Sequence, residues 1–274
     1  MSGFTYDLAG KTVWVAGHTG MVGSAIVRRL ESEPIAGLVT ATSRDLDLRR
    51  QAETEAFVAE HSPDVVIIAA AKVGGIHANR TAQGEFLNDN LMIAANVLEA
   101  SRVNGVERTV VLGSSCIYPR EAAQPMSEDA LLTGPLEPTN EGYAIAKIAA
   151  LELAGMYRRQ YGMSTISLMP TNLYGPNDNS DLETSPVMAA LIRKTIEAKR
   201  SGADTVEVWG SGRPRREFLH VDDLADAVVF AATSVDPDTH LNVGTGEDIS
   251  VRDLAALIAD VVGWDGTHEF DPSK

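Results

Sequence analysis

The sequence predicts an α/β protein built on a doubly wound parallel sheet. Three observations carry that prediction. Short β-rich apolar runs alternate with longer helical segments at the spacing of repeated βαβ units. One run, Asp64–Ala70 (DVVIIAA), is apolar from Val65 onward, as a parallel strand covered on both faces must be. A glycine-rich turn joins the first run to the first helical segment.

The elements follow in order. Lys11–Ala16 (KTVWVA) reads as the first strand, and the segment from Met21 to Glu31 as a helix with Val22, Ile26, Val27 and Leu30 near helical spacing. Leu38–Thr42 is the second strand and Asp64–Ala70 the third. Helices are expected over Gly84–Val103 and over residues 142–161, with a fourth strand at Arg108–Leu112 and a later one at Thr165–Met169. Tyr174–Pro186 is rich in Pro, Asn, Asp, Ser and Gly and reads as a long functional loop. Helices at Val187–Lys199, Asp222–Thr233 and Val251–Val262 then alternate with short strands Val206–Trp209 and Leu241–Val243. No 20–50-residue repeat is visible. The expected division is a dinucleotide-binding domain at residues 1–172 and a smaller, interleaved lobe at 173–274. The chain stops with no evident capping element after the last helix, which reads as a C-terminal truncation.

Composition narrows the function classes. The 274 residues are 44% hydrophobic and 22% charged, which excludes wholesale disorder and collagen-like architectures. The net charge of −15 argues against a nucleic-acid binder, although a local basic or dipolar site can still take a small phosphorylated ligand. A single cysteine excludes an intrachain disulfide framework and a cysteine-based zinc site, and fits a reducing compartment. The longest apolar run, Val65–Ala71, is far short of the ~20 residues of a membrane span. The N-terminus lacks a basic start followed by an apolar stretch, so the cytoplasm is expected. The six histidines show no HxH or HxxxH spacing, and no metal site is expected.

The glycine turn is Gly17-His18-Thr19-Gly20-Met21-Val22-Gly23, spaced GxxGxxG. Glycines there allow a tight turn and close approach of a phosphate, and the following helix N-terminus offers N–H groups and a positive dipole end. At the first βα turn of such a chain, this points to a dinucleotide pyrophosphate. After the second strand, Ser43 and Arg44 stand where an NAD-selective site usually carries a carboxylate. A hydroxyl and a guanidinium suit a 2′-phosphate, which favours NADP over NAD. Asp47 and Leu48 are placed beside the adenine.

Tyr143 and Lys147 form YxxxK, one turn apart on a single helix face. A neighbouring ammonium is expected to lower the tyrosine pKa from ~10, so that the phenol can exchange a proton with a carbonyl or alcohol while hydride moves. The fourth strand ends in Leu112-Gly113-Ser114-Ser115-Cys116, and a serine past a strand's carboxyl end faces the ligand crevice. Asp222 and Asp223, ahead of a helix, read as N-caps, and Asn88 and Asn90 as braces for neighbouring backbone.

Glycine turn, strand-end serine and Tyr-Lys helix occur in this order, and the chain resembles the extended short-chain dehydrogenase/reductase family. Within it the likeness is to the GDP-4-keto-6-deoxy-mannose epimerase–reductases, whose product is GDP-L-fucose. The matching stretches are GHTGMVGSAI (Gly17–Ile26), AAAKVGGI (Ala69–Ile76), LGSSCIYP (Leu112–Pro119), LEPTNEGYAIAKIA (Leu136–Ala149), MPTNLYGPNDN (Met169–Asn179), VWGSG (Val208–Gly212) and REFLHVDD (Arg216–Asp223). The resemblance implies a Rossmann fold, NADP(H) as cofactor, a GDP-sugar substrate and a homodimer paired through the helices at 84–103 and 142–161. It implies Ser114, Tyr143 and Lys147 as the reductase triad and Cys116 as the base that epimerises C3 and C5. Ala70, Leu112–Ser115 and Pro170-Thr171-Asn172-Leu173 would contact the cofactor, and Asn172, Lys194, Trp209 and Arg216 the nucleotide sugar.

One departure bears on the chemistry. The family's acid partner in epimerisation is a histidine, and the matching position here is Pro186, which has no proton to give. Either Asp181, Glu183, a water or a shifted local alignment supplies the proton, or epimerisation is impaired. The alternatives are then a C4 keto reductase of a related deoxy sugar, or a nucleotide-sugar 4-epimerase or dehydratase.

Overall fold

The computed structural model describes residues 4–179 and 186–273. In chain order the elements are β1 (Thr12–Ala16), α1 (Met21–Leu30), β2 (Gly37–Val39), α2 (Gln51–His61), β3 (Val65–Ile68), α3 (Ile76–Thr81), α4 (Gln83–Val103), β4 (Arg108–Leu112), α5 (Glu141–Tyr161), β5 (Thr165–Pro170), β6 (Asn172–Tyr174), α6 (Val187–Ser201), β7 (Thr205–Trp209), β8 (Arg215–His220), α7 (Val221–Ser234), β9 (Leu241–Val243), β10 (Asp248–Ser250), α8 (Val251–Val262) and β11 (Thr267–Asp271).

Six strands form one sheet in the order β2-β1-β3-β4-β5-β9, with every neighbouring pair parallel. Alternation along each strand divides its side chains between two layers. Val13, Val15, Ile67, Val110 and Ile166 face α1 and α7, with Ile26, Leu224 and Val228. Trp14, Val66, Ile68 and Val111 face the opposite layer, with Val97 and Leu98 of α4 and Ala150 and Ala154 of α5. The sheet is therefore covered on both faces, which explains the unbroken apolar run of β3. Chain order reverses between β1 and β3, and in such sheets ligands bind beyond the carboxyl ends at that switch point.

The second lobe carries a three-stranded sheet, β10-β8-β6, and the parallel pair β7–β11. Met188, Leu191, Val208, Leu254 and Ile258 form its core. α7 and β9, although late in the chain, pack on the large sheet.

Several elements differ from the sequence reading. β2 ends at Val39, so residues 40–42 leave the sheet. α2 was not expected, and only Thr54 and Val58 of it are buried, too thin a stripe to give a period. β11 follows the last helix, where no element was expected, and is held by its pairing with β7 rather than by its own mixed sequence. α7 begins at Val221, one residue early, which moves the N-cap to His220. Its Nδ1 accepts the Asp222 N–H at 3.2 Å, so Asp222 and Asp223 are first-turn residues, not caps. Asp222 instead pairs with Arg28 of α1 at 2.5 Å. Asn90 does brace backbone, accepting the Lys72 N–H at 2.8 Å and donating to Lys72 O at 3.0 Å, whereas Asn88 donates to the neighbouring Asp89 side chain at 3.4 Å.

Candidate active site

The carboxyl ends of β1, β3, β4 and β5 lie on one side of the sheet and bring most of the predicted residues together. At the switch point, Gly17 has φ +89°, and a Cβ there would lie 2.6 Å from Ala70 Cα. A Cβ at Gly23 would lie 2.1 Å from Gly17 O. These two glycines are required by the fold itself. Gly20 differs: a Cβ would approach no described atom closer than Gly17 O at 3.6 Å. It stands at the N-terminus of α1, which no side chain caps. A helix start with unsatisfied N–H groups behind an open glycine is a cradle for an anion. The Nδ1 of His18, buried inside this turn, has no partner among the described residues. The residues present therefore fit a dinucleotide.

A cavity of about 380 Å³ runs from this cradle toward the end of β2. Gly17, Thr19, Gly20, Ser43, Asp47, Leu48 and Ala70 line it; His18, Met21, Val22, Gly23 and Arg44 do not. Arg44 is exposed, and its N–H donates to Thr42 Oγ1 at 3.3 Å. Arg49, which the motif reading passed over, does line the cavity. A larger hollow of about 540 Å³ beside α6 is lined by Tyr174, Asp178 and Ile192 and holds none of the predicted residues. The smaller cavity is the better site, because it lies at the switch point.

The triad gathers at the end of β4. Gly113 N–H donates to Leu168 O of β5 at 2.8 Å, and a short 3₁₀ turn, Ser115–Ile117, follows. Ser114 Oγ accepts the Cys116 N–H at 3.4 Å. The start of α5 is tied to α4 through Gln83, whose Oε1 accepts the Gly142 N–H at 3.0 Å and whose Nε2 donates to Pro138 O at 2.9 Å. This holds Tyr143 and Lys147 beside the serine turn. Lys147 Nζ donates to Leu112 O at 2.8 Å and lies 5.7 Å from the centroid of the Tyr143 ring.

Burial, not the neighbouring amine, dominates the protonation states. It drives the Tyr143 phenol far above its usual value, with the Cys116 charge adding to the rise and Ser114 opposing it. This corrects the expectation of a lowered tyrosine pKa. Lys147 does not offset the rise, because burial pushes its own pKa down to about 8 and it has lost its charge before the phenol ionises. Burial also raises the Cys116 thiol, against the opposing pull of Ser114 and Lys147. Without ligand, phenol and thiol are therefore both protonated at neutral pH.

The β5 exit is locked by backbone. Thr171 N–H donates to Val243 O at 3.1 Å, while Thr171 Oγ1 and Asn172 Nδ2 both reach Glu217 O at 3.0 Å. Pro170 is buried, and Leu173 packs partly buried against the large core. In the second lobe, Lys194 Nζ lies 5.2 Å above the exposed Trp209 ring and donates to Glu207 O at 3.0 Å. Arg216 lies apart on β8, with Nη1 donating to Arg215 O at 2.7 Å. Pro186 is the exposed N-cap of α6, and Asp181 and Glu183 lie outside the described residues.

A model of the NAD-dependent epimerase/dehydratase family matches residues 13–244. The chain belongs to that family. Among its relatives in this epimerase/dehydratase family, the GDP-L-fucose synthase of Sinorhizobium fredii (strain NBRC 101917 / NGR234) is 54% identical over 269 residues, covering 98% of this chain and 85% of the relative. GDP-L-fucose synthase 1 of Arabidopsis thaliana is 53% identical over 262 residues, covering 96% and 81%. The solved structure of a GDP-mannoheptose C4 reductase from Campylobacter jejuni with NADP bound superposes with a TM-score of 0.89 at 34% identity, covering 96% of this chain and 88% of that one.

Within this family frame, the sequence reading missed the residues that close the cavity from a distance. Trp14, Lys72 and Asp89 line it alongside Arg49. Lys72 carried a signal, since it lies inside the stretch Ala69–Ile76. Asp89 carried none, because only the packing of α4 on the sheet brings it there.

Proposed function

We propose that this protein converts GDP-4-keto-6-deoxy-D-mannose to GDP-L-fucose by epimerising C3 and C5 and reducing C4 with NADPH. The observation that carries this reading is the meeting of Ser114, Cys116, Tyr143 and Lys147 at the end of β4, next to an anion cradle, in a chain 54% identical to a GDP-L-fucose synthase. NADPH, when bound, supplies the hydride for C4. Gly17, Gly20 and the first turn of α1 would hold its pyrophosphate, and Tyr143 and Lys147 its nicotinamide end.

The protein's own groups then have separate tasks. Ser114 donates a hydrogen bond to the C4 oxygen and orients the ketone. Tyr143, protonated at rest, gives its proton to that oxygen as it gains charge, and burial keeps that proton in place until then. Lys147, near its own midpoint, holds the nicotinamide ribose and can return a proton to the tyrosine. Before reduction, the ketone acidifies the C3 and C5 protons. Cys116 Sγ, as the thiolate, takes these protons one at a time and passes each to solvent, and water, in place of the proton that Pro186 cannot give, returns a proton to the opposite face of each carbon. Lys194 and Trp209 hold the base and Arg216 the diphosphate.

A second reading rests on Pro186: a C4 keto reductase that leaves C3 and C5 unchanged. Identities of 54% and 53% to two GDP-L-fucose synthases over nearly the whole chain favour the first. Incubation with GDP-4-keto-6-deoxy-D-mannose and NADPH in D₂O, followed by NMR, separates them. GDP-L-fucose with deuterium at C3 and C5 supports the first reading, and a reduced sugar with neither change establishes the second. Turnover without loss of NADPH absorbance would leave only a 4-epimerase or dehydratase.

The proposal includes a cytoplasmic homodimer. Among the described residues, no helix is long and apolar enough to cross a membrane. Leu91 on α4 and Ile145 and Met156 on α5 are exposed large apolar side chains on the two helices that would pair. Sedimentation at monomer mass would overturn the dimer.

A further inference from the structure

We infer that Arg49 sets the preference for the phosphorylated cofactor by neutralising two carboxylates inside the cofactor cavity. The inference rests on the cofactor reading above and concerns a residue which that reading does not use. The cavity holds Asp47 and Asp89, one from the segment after β2 and one from α4. A carboxylate in this region is what a site selective for the unphosphorylated dinucleotide uses to grip the ribose hydroxyls, and it repels a 2′-phosphate.

Arg49 reaches both. Its Nε and Nη2 bond Asp47 Oδ1 and Oδ2 at 2.8 and 3.0 Å, a bidentate fork, and its Nη1 lies 3.5 Å from Asp89 Oδ1. The backbone N–H of Arg49 also donates to Asp47 Oδ1 at 3.1 Å, so the carboxylate is fixed in orientation. Asp47 is only 30% exposed and Asp89 15%, so water screens them incompletely. Asp89 has a second cation, Lys72 Nζ at 3.1 Å, which is shared with Glu85 at 2.7 Å. Among the described residues, Asp47 has no comparable second partner: Arg50 Nε stands 3.9 Å away on a side chain that is 71% exposed.

The charged groups that line the cavity are therefore two carboxylates, Asp47 and Asp89, and two cations, Arg49 and Lys72, with the exposed Glu85 drawing on Lys72 and the exposed Arg50 standing near Asp47. Removing Arg49 uncovers Asp47 and leaves the end of the cavity beside Ser43 strongly negative. A ligand carrying two extra negative charges suffers from that far more than one carrying none. The discrimination lies in charge cancellation rather than in a direct contact with the phosphate.

The test measures dissociation constants for NADPH and NADH from the fluorescence enhancement of the bound nicotinamide. The proteins are the parent, Arg49→Gln, Arg49→Lys, and the double variant Asp47→Asn/Arg49→Gln. Arg49→Gln is expected to weaken NADPH about tenfold and NADH less than twofold. The double variant is expected to regain most of the NADPH affinity, and Arg49→Lys to lie between. The loss in Arg49→Gln is expected to shrink as KCl is raised. Equal weakening of both nucleotides would overturn the inference, since it would mark Arg49 as a support of the cavity wall. A double variant as weak as Arg49→Gln would also overturn it, since it would place Arg49 on the phosphate itself. A parent protein that binds neither nucleotide, or prefers NADH, would overturn the cofactor reading as well.

Discussion

Gly20 and Gly23 look alike in the GxxGxxG turn, but the structure gives them opposite tasks, and replacing each by alanine separates the two. In Gly23→Ala, the new methyl would sit 2.1 Å from Gly17 O, 2.7 Å from Gly17 C and 2.8 Å from His18 Cα. All three are backbone atoms and cannot rotate aside, so the strand–turn–helix corner must move by more than 1 Å, roughly the deficit against ordinary contact. Overpacking of this kind costs about 3 kcal/mol. At about 2 °C per kcal/mol for a chain of this size, that is about a 6 °C fall in Tm. In Gly20→Ala, the nearest described atom is 3.6 Å away and φ is −75°, which alanine adopts freely. Loss of unfolded-state entropy gains about 0.5 kcal/mol, and alanine at an N-cap loses a similar amount, so Tm should stay within about 2 °C. The methyl does, however, occupy the space in front of the α1 N-terminus. NADPH affinity should therefore fall about tenfold or more while the fold stays intact. Differential scanning calorimetry without ligand and nicotinamide fluorescence titration read the two effects. The reasoning fails if Gly20→Ala binds NADPH like the parent, or if it melts as low as Gly23→Ala.

Three further outcomes are expected. Tyr143→Phe should lower the reduction rate at least ~100-fold with the NADPH dissociation constant within about threefold, and near-normal turnover would remove the tyrosine from the chemistry. Lys147 loses its proton near pH 8 in the ligand-free fold but near 10.5 when unfolded, so the unfolded state binds the extra proton between those values and stability rises with pH across that window. The stability advantage of Lys147→Met, ~2–3 kcal/mol below pH 8, should accordingly vanish by about pH 10.5; a gap that is flat with pH would contradict a buried charge. Arg108 is fully buried, bonding Ser164 Oγ, Asp236 Oδ1 at 2.9 Å and the carbonyls of Ala231, Ala232 and Val235 at the end of α7. Arg108→Met should cost about 3 kcal/mol, seen as a Tm lower by about 6 °C, and a shift under 2 °C would mean the carbonyls find other partners.

What could be read from the chain follows from distance along it. The glycine turn, the YxxxK pair and the serine past β4 were legible because each depends on residues within one strand–turn or one helical turn. The central helices and strands were legible because full burial enforces a strict apolar pattern. α2 and β11 were not, since their partners rather than their own sequences hold them. Asp222 was read as a cap, and a one-residue shift in the start of α7 gives that task to His220. Arg44 looked like the cavity's cation, yet Arg49 is the arginine that lines it, and only the fold of the segment after β2 decides which of the two points inward.

By itself, then, the amino-acid order determined the layered α/β architecture, the anion cradle and which side chains gather at the end of β4. Tertiary structure alone decided their charge states: Tyr143 is raised where a nearby lysine suggested lowering, because burial by packed elements raises the phenol and also lowers the lysine. It alone also brought Asp89 to Arg49, 40 positions away, and Arg108 to Asp236, 128 positions away. The physical reason is common to both. Backbone preference and hydrophobic period act over a few residues, whereas desolvation and ion pairing depend on whatever the completed fold places within a few ångströms.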